Sequence, residues 1–284
     1  MRGWWIPVAL AVAACNDDNG SGPGTTPDAP TSLSSVSLDG AIALTWSDNS
    51  YIADPSNFQN YRVYSTTYNI DANPPVCGSS FRLEGTTVAP EFVVGALANG
   101  EPRCYTVTAV SVDGFESDRS PLRGDTPRPD ARNVVVFARQ TQTAGSGFRF
   151  WDDLNGDNQV QSTELGIVRD GTSGAIDFAV DRDGSGDLFL TPIRAGTGVE
   201  YYDDTNPVED LTSVDFAPDQ TYRTTPIQAV PGFGYVFEMS AADGSPRFGA
   251  LRVTHVGQTF LIMDWAFQTD PGNPELVVSG KKMR

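Results

Sequence analysis

Short β-patterned runs, each closed by turn residues, restrict this chain more than any other feature. Segments such as 41–46 (AIALTW), 103–110 (RCYTVTAV) and 188–190 (LFL) are bordered by glycine, proline, asparagine, aspartate or serine/threonine, and no apolar stripe at helical period persists. Glycine (28) and proline (20) are spread through all 284 residues, a density that breaks helices but supplies tight turns. The expectation is an all-β fold, with enough length for two ordinary domains that each bury a core.

Residues 30–126 hold seven candidate strands: 35–38, 41–46, 60–64, 81–83, 91–94, 103–110 and 116–122, with a turn at Asp39-Gly40. Turns at this spacing indicate two antiparallel sheets packed as a sandwich. Ala29-Pro30, Leu44-Thr45-Trp46, Tyr61-Arg62-Val63-Tyr64, Leu97 and Cys104 through Val110 resemble a fibronectin type III domain, and 113–120 (DGFESDRS) resembles the F–G hairpin of its bacterial versions. The resemblance covers about a third of the chain. It implies that Trp46 lies in the core between the sheets, that Tyr105 sits near the corner entering the sixth strand, and that the module is a spacer or adhesion unit. Arg123-Gly124-Asp125 is an integrin-recognition tripeptide, but it follows the last strand beside Thr126-Pro127-Arg128-Pro129. In a chain rich in Gly and Asp it reads as a chance match.

The formal charge is −17, from 36 acidic against 19 basic residues. Such a surface repels phosphate backbones and anionic lipid heads, which removes nucleic acid from the expected partners. Residues 1–14 carry Arg2 and then a short apolar run from Trp4 to Val12, the pattern of an export signal and too short for a permanent span. The closing Val12-Ala13-Ala14-Cys15 resembles the lipobox of bacterial lipoproteins, which implies cleavage before Cys15 and a lipid on its thiol. Residues 15–29 (CNDDNGSGPGTTPDA) have no apolar run that could join a core, so they read as a flexible tether to the membrane. The expected location is a bacterial cell envelope, lipid-anchored at the outer membrane or cell surface. Cys77 and Cys104 form an even pair within one exported domain, which points to a disulfide over two free thiols.

After a linker at 127–132, residues 133–280 read as a second, larger antiparallel β-domain. Its candidate strands are 133–139, 148–151, 175–180, 188–190, 199–202, 213–216 and 234–239, followed by a closing hairpin of 248–256 and 259–268. A two-residue turn at Gly257-Gln258 sets the hairpin register. It places Leu251, Val253, His255, Phe260, Ile262 and Ala266 on one side with Asp264. Leu261, Met263, Trp265 and Phe267 fall on the other, beside Thr254 and Arg252. Both faces are largely apolar, so the hairpin is expected at the centre of the domain, covered on both sides, or with one face lining a pocket or a contact with the first domain. His255 is the only histidine, and in this register Asp264 faces Leu251, so no acid–base dyad is expected. No nucleophile elbow, P-loop or dinucleotide fingerprint stands in a credible context, and the chain is read as a non-enzyme. Segments 248–254 (FGALRVT) and 264–273 (DWAFQTDPGN) resemble the C-terminal strands of haem-scavenging β-rich lipoproteins, which implies haem as an alternative ligand with His255 as the one imidazole.

Residues 153–164 carry the ligand spacing of a calcium loop. Asp153, Asn155 and Asp157 alternate, Gln159 offers the next carbonyl, and Glu164 closes the frame with a carboxylate. Alternating acids in a tight loop direct several oxygens to one point, which suits a hard cation. The loop resembles EF-hand and dockerin loops, yet 147–151 alternates like a strand and Gly166 ends any exiting helix. The expectation is therefore structural calcium, not a sensor. A second acidic run, 181–187 (DRDGSGD), has Pro192 where the closing carboxylate belongs and reads as a hairpin turn. Together these readings describe a non-catalytic, lipid-anchored envelope protein that binds a glycan or a protein, with ligand scavenging as the alternative.

Overall fold

The computed structural model describes residues 25–70, 72, 74–157, 160–240 and 244–276. The expected signal segment 1–14, the lipidation residue Cys15 and the loop residue Gln159 lie outside the described residues.

The first unit runs β1 (Ser34–Leu38), β2 (Ala41–Thr45), α1 (Asn49–Ala53), β3 (Phe58–Asn69), β4 (Val76–Cys77), β5 (Arg82–Thr87), β6 (Glu91–Val94), β7 (Arg103–Ser111) and β8 (Arg123–Asp125). One antiparallel sheet has the order β1-β2-β6; the other has β4-β3-β7-β8, with β5 also on β3. In β1 and β2 alternate residues are buried, the signature of strands with one face on a core. Ile42 and Leu44 meet Tyr61, Val63, Tyr105 and Val107 between the sheets. Trp46 packs edge-on against Tyr61 with ring centres 5.3 Å apart, in the core position that the fibronectin type III resemblance implied. Burying one such large apolar side chain contributes about 1.5–3 kcal/mol. Cys77 and Cys104 form a disulfide with Cα atoms 5.8 Å apart, pinning short β4 to the central pair β3 and β7. Closing a loop of this length stabilises by roughly 3–4 kcal/mol on the chain-entropy account.

The seventh strand, expected at 116–122, is displaced and broken. Regular pairing with β7 occurs only at β8. Upstream, Ser117 and Ser120 reach β7 through their backbone N–H groups and also accept from Ala109 N–H and Val107 N–H through their hydroxyls, at 2.9 and 3.0 Å. Hydroxyls replacing carbonyls, with Pro121 lacking an N–H, spoil the ladder while keeping the chain in place. Arg123-Gly124-Asp125 is β8 itself, and Asp125 is fully buried, so this tripeptide is not displayed.

The second unit comprises β9 (Asp130–Phe137), β10 (Gly147–Trp151), β11 (Leu165–Arg169), β12 (Phe178–Arg182), β13 (Leu188–Pro192), β14 (Thr197–Tyr201), β15 (Ile227–Gln228), β16 (Gly234–Ser240), β17 (Pro246–Val256) and β18 (Phe260–Phe267). Two five-stranded sheets, β11-β10-β12-β13-β15 and β14-β16-β17-β18-β9, face each other. Phe148, Phe150 and Phe178 from one sheet pack on Phe237, Trp265 and Phe267 from the other, with Phe178 stacked on Phe237 at 4.8 Å. A strand expected at 213–216 is instead a 3-10 turn, Leu211–Ser213, capped by Asp210, followed by a lone bridge from Phe216 to Glu275. This segment lays Val208, Leu211, Val214 and Ala217 over Val236, Ala250 and Ala266 on the outer face of the second sheet.

The closing hairpin is central and covered on both faces, but its register differs from the expected one. Gly257 N–H donates to Phe260 O, so the turn is centred one residue later, and a bulge between Val253 and His255 shifts the pairing again. Asp264 therefore faces Arg252 instead of Leu251, and Leu251 and Val253 join Leu261, Met263, Trp265 and Phe267 in the inter-sheet core.

The expected linker at 127–132 is a buried crossing. β8 ends at Asp125 and β9 starts at Asp130, with Thr126 and Arg128 fully buried between them. Arg128 N–H donates to Leu38 O at 3.1 Å, Gly100 N–H to Pro127 O at 2.8 Å and Phe267 N–H to Pro129 O at 3.1 Å. Asp125 accepts from Ser37 Oγ at 2.5 Å and from Thr126 N–H at 2.7 Å. Asn273 Nδ2 donates to Thr126 Oγ1, and Arg128 Nε donates to the Leu276 carbonyl. Burial pushes Asp125 above the usual carboxylate range and brings Arg128 down to about 10.

Candidate functional site

Beside this crossing lies a cleft of about 410 Å³ between the two sandwiches. The first unit contributes the β1–β2 turn at Asp39 and the 95–100 loop. Asn99 joins these two loops: its Nδ2 donates to Asp39 Oδ1 at 2.7 Å, and its Oδ1 accepts from Gly40 N–H at 2.9 Å. The second unit contributes Asp130, Ser162, Leu165, Trp265 and Thr269. Burial pushes Asp130 up, while Arg128 and Arg132 pull the other way and do not cancel it.

Two glycines set how closely these walls approach. Gly166 adopts φ +61°, and a Cβ there would meet Trp265 Cζ2 at 2.0 Å, so only glycine lets the indole lie against β11. Gly100 adopts φ +80°, and a Cβ there would meet Thr269 Oγ1 at 2.4 Å, across the two units. Trp265 and Thr269 are 5% and 8% exposed, and neither Trp265 Nε1 nor Thr269 Oγ1 has a hydrogen-bond partner. A buried polar group left in this state costs about 1–3 kcal/mol, so two of them at one cleft call for an explanation.

The proposed calcium residues sit next to this cleft and are arranged differently from a calcium loop. Glu164 is buried, closing the 3-10 turn Ser162–Glu164. Its Oε1 accepts from Leu154 N–H at 3.0 Å, and its Oε2 from Trp151 Nε1 and Gln161 N–H, each at 3.3 Å. Asp153 Oδ1 accepts from Gly156 N–H at 2.8 Å, Asn155 Oδ1 from Asp157 N–H at 2.9 Å, and Asp157 Oδ2 from Asn155 Nδ2 and Gln161 Nε2 at 3.0 Å. Among the described residues no three His, Cys, Asp or Glu side chains gather as a metal site. In the described part of the loop, Glu164, the carboxylate such a loop needs most, accepts from three N–H donors. The 181–187 run is a hairpin turn between β12 and β13, closed by Asp183 Oδ1 accepting from Ser185 and Asp187 N–H groups. Asp181 is held by Arg139 at 2.8 Å.

His255 is exposed near the hairpin tip, paired with Ile262 and 5.9 Å from the Phe260 ring. Met239 and Met263 are buried in the inter-sheet core. The structure brings no second described haem ligand to His255. Of the cleft residues, Trp265 was anticipated only as part of a hairpin with two apolar faces, one of which, unspecified, could line a pocket. Asp39 and Asp130 are ordinary turn and strand residues in sequence, and no local signal marks them.

No protein-family model and no curated protein matches the chain. Among solved structures it is similar to a Fn3-like protein from Clostridium thermocellum, at 23% identity over 35% of this chain and 92% of that one, with a TM-score of 0.27. It is similar to the fibronectin type-III domain of human fibronectin type III domain containing protein 3, at 20% identity over 39% and 94%, with a TM-score of 0.30. A DUF4466 family protein from Parabacteroides merdae ATCC 43184 aligns over 85% of this chain and 99% of its own, at 11% identity and a TM-score of 0.37.

Glu164→Ala removes the acceptor for three N–H groups in a part-buried setting. It is expected to lower unfolding stability by about 1–3 kcal/mol in urea titrations run with a metal chelator present. An unchanged midpoint would show that these bonds do not hold the loop.

Proposed function

We propose that the protein is a non-catalytic binding protein of a bacterial cell envelope. A lipid on Cys15 and the tether 15–29 hold it to the outer membrane or cell surface, and the cleft between its two sandwiches takes a glycan or a protein group. The observation that carries this reading is the cleft itself. It lies where hydrogen bonds from both units hold one buried crossing, so its walls are preformed, and preformed sites bind with less ordering cost. The N-terminal sequence supports the anchor, and the acidic surface disfavours nucleic acid. As a second part of the proposal, calcium is taken by a rearranged 153–164 loop using Asp153, Asn155, Asp157, Gln159 and Glu164, with Glu164 released from its N–H donors.

Ser162 is exposed on the cleft wall, so Ser162→Trp fills the cleft without entering the core. Wild type is expected to retain a glycan on an array, or an envelope protein from a purified fraction, that Ser162→Trp does not. Equal retention by both, or by neither, contradicts the cleft reading. For the anchor, cell fractionation should find wild type with membranes and Cys15→Ala released from them; release of both, or neither, removes the lipid. For calcium, the melting temperature should rise with millimolar calcium and fall with chelator in wild type but not in Asp157→Ala. Identical melts in both conditions leave no ion in the loop.

A further inference from the structure

We infer that the end of the first sandwich from which the N-terminal segment leaves is a membrane-contact surface. There Tyr51, Ile52, Val88, Val112 and Phe115 enter the headgroup layer of a bilayer rich in zwitterionic lipid. This rests on the reading of Cys15 as the lipid anchor and adds which face of the protein that anchor brings to the membrane.

Three turns meet at this end. β1 and β2 span the sandwich, with Ser34 opposite Thr45 here and Leu38 opposite Ala41 at the far end, where the crossing to the second unit begins. α1 follows β2. The β5–β6 turn comes beside it, because Thr87 pairs with Tyr61 and Pro90 O accepts from Trp46 N–H at 3.0 Å. Val112 N–H, in the turn after β7, donates to Asn57 O at 2.8 Å. The three turns thus present Tyr51 with Ile52, then Val88, then Val112 with Phe115, and Ile52 and Val88 are 72% and 73% exposed. Their support is rigid: the rings of Trp46, Tyr61, Phe58 and Tyr51 touch in succession from core to surface, with centres 5.3, 4.7 and 5.6 Å apart. Separate apolar tips suit a fluid interface, which closes around each one, better than a folded partner, which must match all of them at once.

Residues 25–29 of the expected tether are seated against this same pole. Asn57 Nδ2 donates to Thr25 O at 2.8 Å, Ser50 Oγ to Asp28 O at 2.7 Å and Asn49 Nδ2 to Ala29 O at 2.9 Å. From Thr25 back to Cys15 a fully extended chain reaches at most about 35 Å. A lipid on Cys15 therefore holds this pole, the nearest folded part of the chain, within that reach of the bilayer. Exposed aromatic rings with aliphatic neighbours are the side chains that settle at a headgroup boundary. Charge selects the lipid. Segments 48–58, 87–91 and 111–116 carry Asp48, Asp54, Glu91, Asp113 and Glu116 and no lysine or arginine, so anionic headgroups repel this pole and zwitterionic ones do not.

The test uses the full chain expressed in bacteria with its N-terminal segment intact, in wild-type and Cys15→Ala backgrounds. Ile52→Cys, Val88→Cys and, as a control on the second unit, Val168→Cys each carry an environment-sensitive fluorophore; Cys77 and Cys104 are bonded to each other and do not compete for it. In phosphatidylcholine vesicles bearing nitroxide lipid, the labels at 52 and 88 should be quenched roughly 5-fold more than the label at 168, as for groups lying about 5–10 Å into the headgroup boundary. Replacing part of the lipid by phosphatidylglycerol should weaken that quenching. Ile52→Asp should lower quenching at 88 by roughly 5-fold with the melting temperature unchanged, since the exposed side chain supports no core. Labels at 52 and 88 that stay in water on vesicles overturn the inference, and so do labels that shift only as protein concentration rises, which would make the pole a contact between two copies. If the labels stay in water while wild type floats with the vesicles and Cys15→Ala does not, the membrane-contact surface falls and the anchor stands. If wild type and Cys15→Ala are quenched alike, the anchor falls and contact through the pole stands.

Discussion

Between Asp125 and Asp130 the backbone passes from one sandwich to the other with its polar groups taken by both. A buried backbone must find hydrogen-bond partners, and here Leu38 O, Gly100 N–H and Phe267 N–H serve three consecutive residues of the crossing. The charged side chains add a second constraint, because Asp125 and Arg128 are buried and tolerate little displacement. The positions of the cleft residues follow from the same bonds. Asp39 adjoins Leu38, Asn99 adjoins Gly100, and Asp130 continues the crossing itself. The two sandwiches are thus fixed by contacts lying immediately behind the cleft walls, and a cleft set in that way does not depend on a ligand to assemble it.

Much of the fold was legible because burial and turn chemistry act locally. β1, β2, β6, β7, β10, β13 and β16 fall where alternation and turn residues put them, and Trp46 lies in the core as the fibronectin type III resemblance implied. The misplacements have physical causes that alternation does not encode. Ser117 and Ser120 substitute hydroxyls for carbonyls along β7, so apolar spacing overstates the regularity of 116–122. At the closing hairpin, Thr254 is extruded as a bulge and donates to Ile262 O, which shifts every pair beyond it. A side-chain hydrogen bond of that kind is decided by tertiary fit, so the register could not be read from residue types alone. The crossing at 127–132 looked like a linker because two prolines usually mark one. Those prolines have no N–H to satisfy, which is also what lets them be buried.

The candidate site was less legible, since its residues come from distant segments and gain their meaning only together. Trp265 was anticipated as part of an apolar face, but the lack of a partner for its Nε1 is a property of the packed cleft. Thr269 and Gly100 become informative only because the crossing brings them into contact. The calcium spacing shows the opposite case, a strong local pattern with a different local use. Glu164 has the spacing of a closing ligand, and it also has the spacing of a capping-box residue for a 3-10 turn whose N-cap is Gln161. Sequence spacing does not distinguish a carboxylate facing a cation from one facing backbone N–H groups; the buried environment does.

That one turn connects the two chemistries of this region. Ser162 and Leu165 stand in the cleft wall, while Glu164 between them points inward and gathers Trp151, Leu154 and Gln161. A cation that drew Glu164 outward would strip acceptors from three N–H groups, at about 1–3 kcal/mol for each one left buried and unmatched. The ion's own coordination would have to exceed that sum, and the wall residues on either side of Glu164 would move with it. Ion binding through Asp153 and Asp157 alone leaves the three N–H groups on Glu164 matched and the wall where it is. Metal affinity and cleft shape are therefore linked through Glu164 by thermodynamic necessity whenever that carboxylate is a ligand, and are independent whenever it is not.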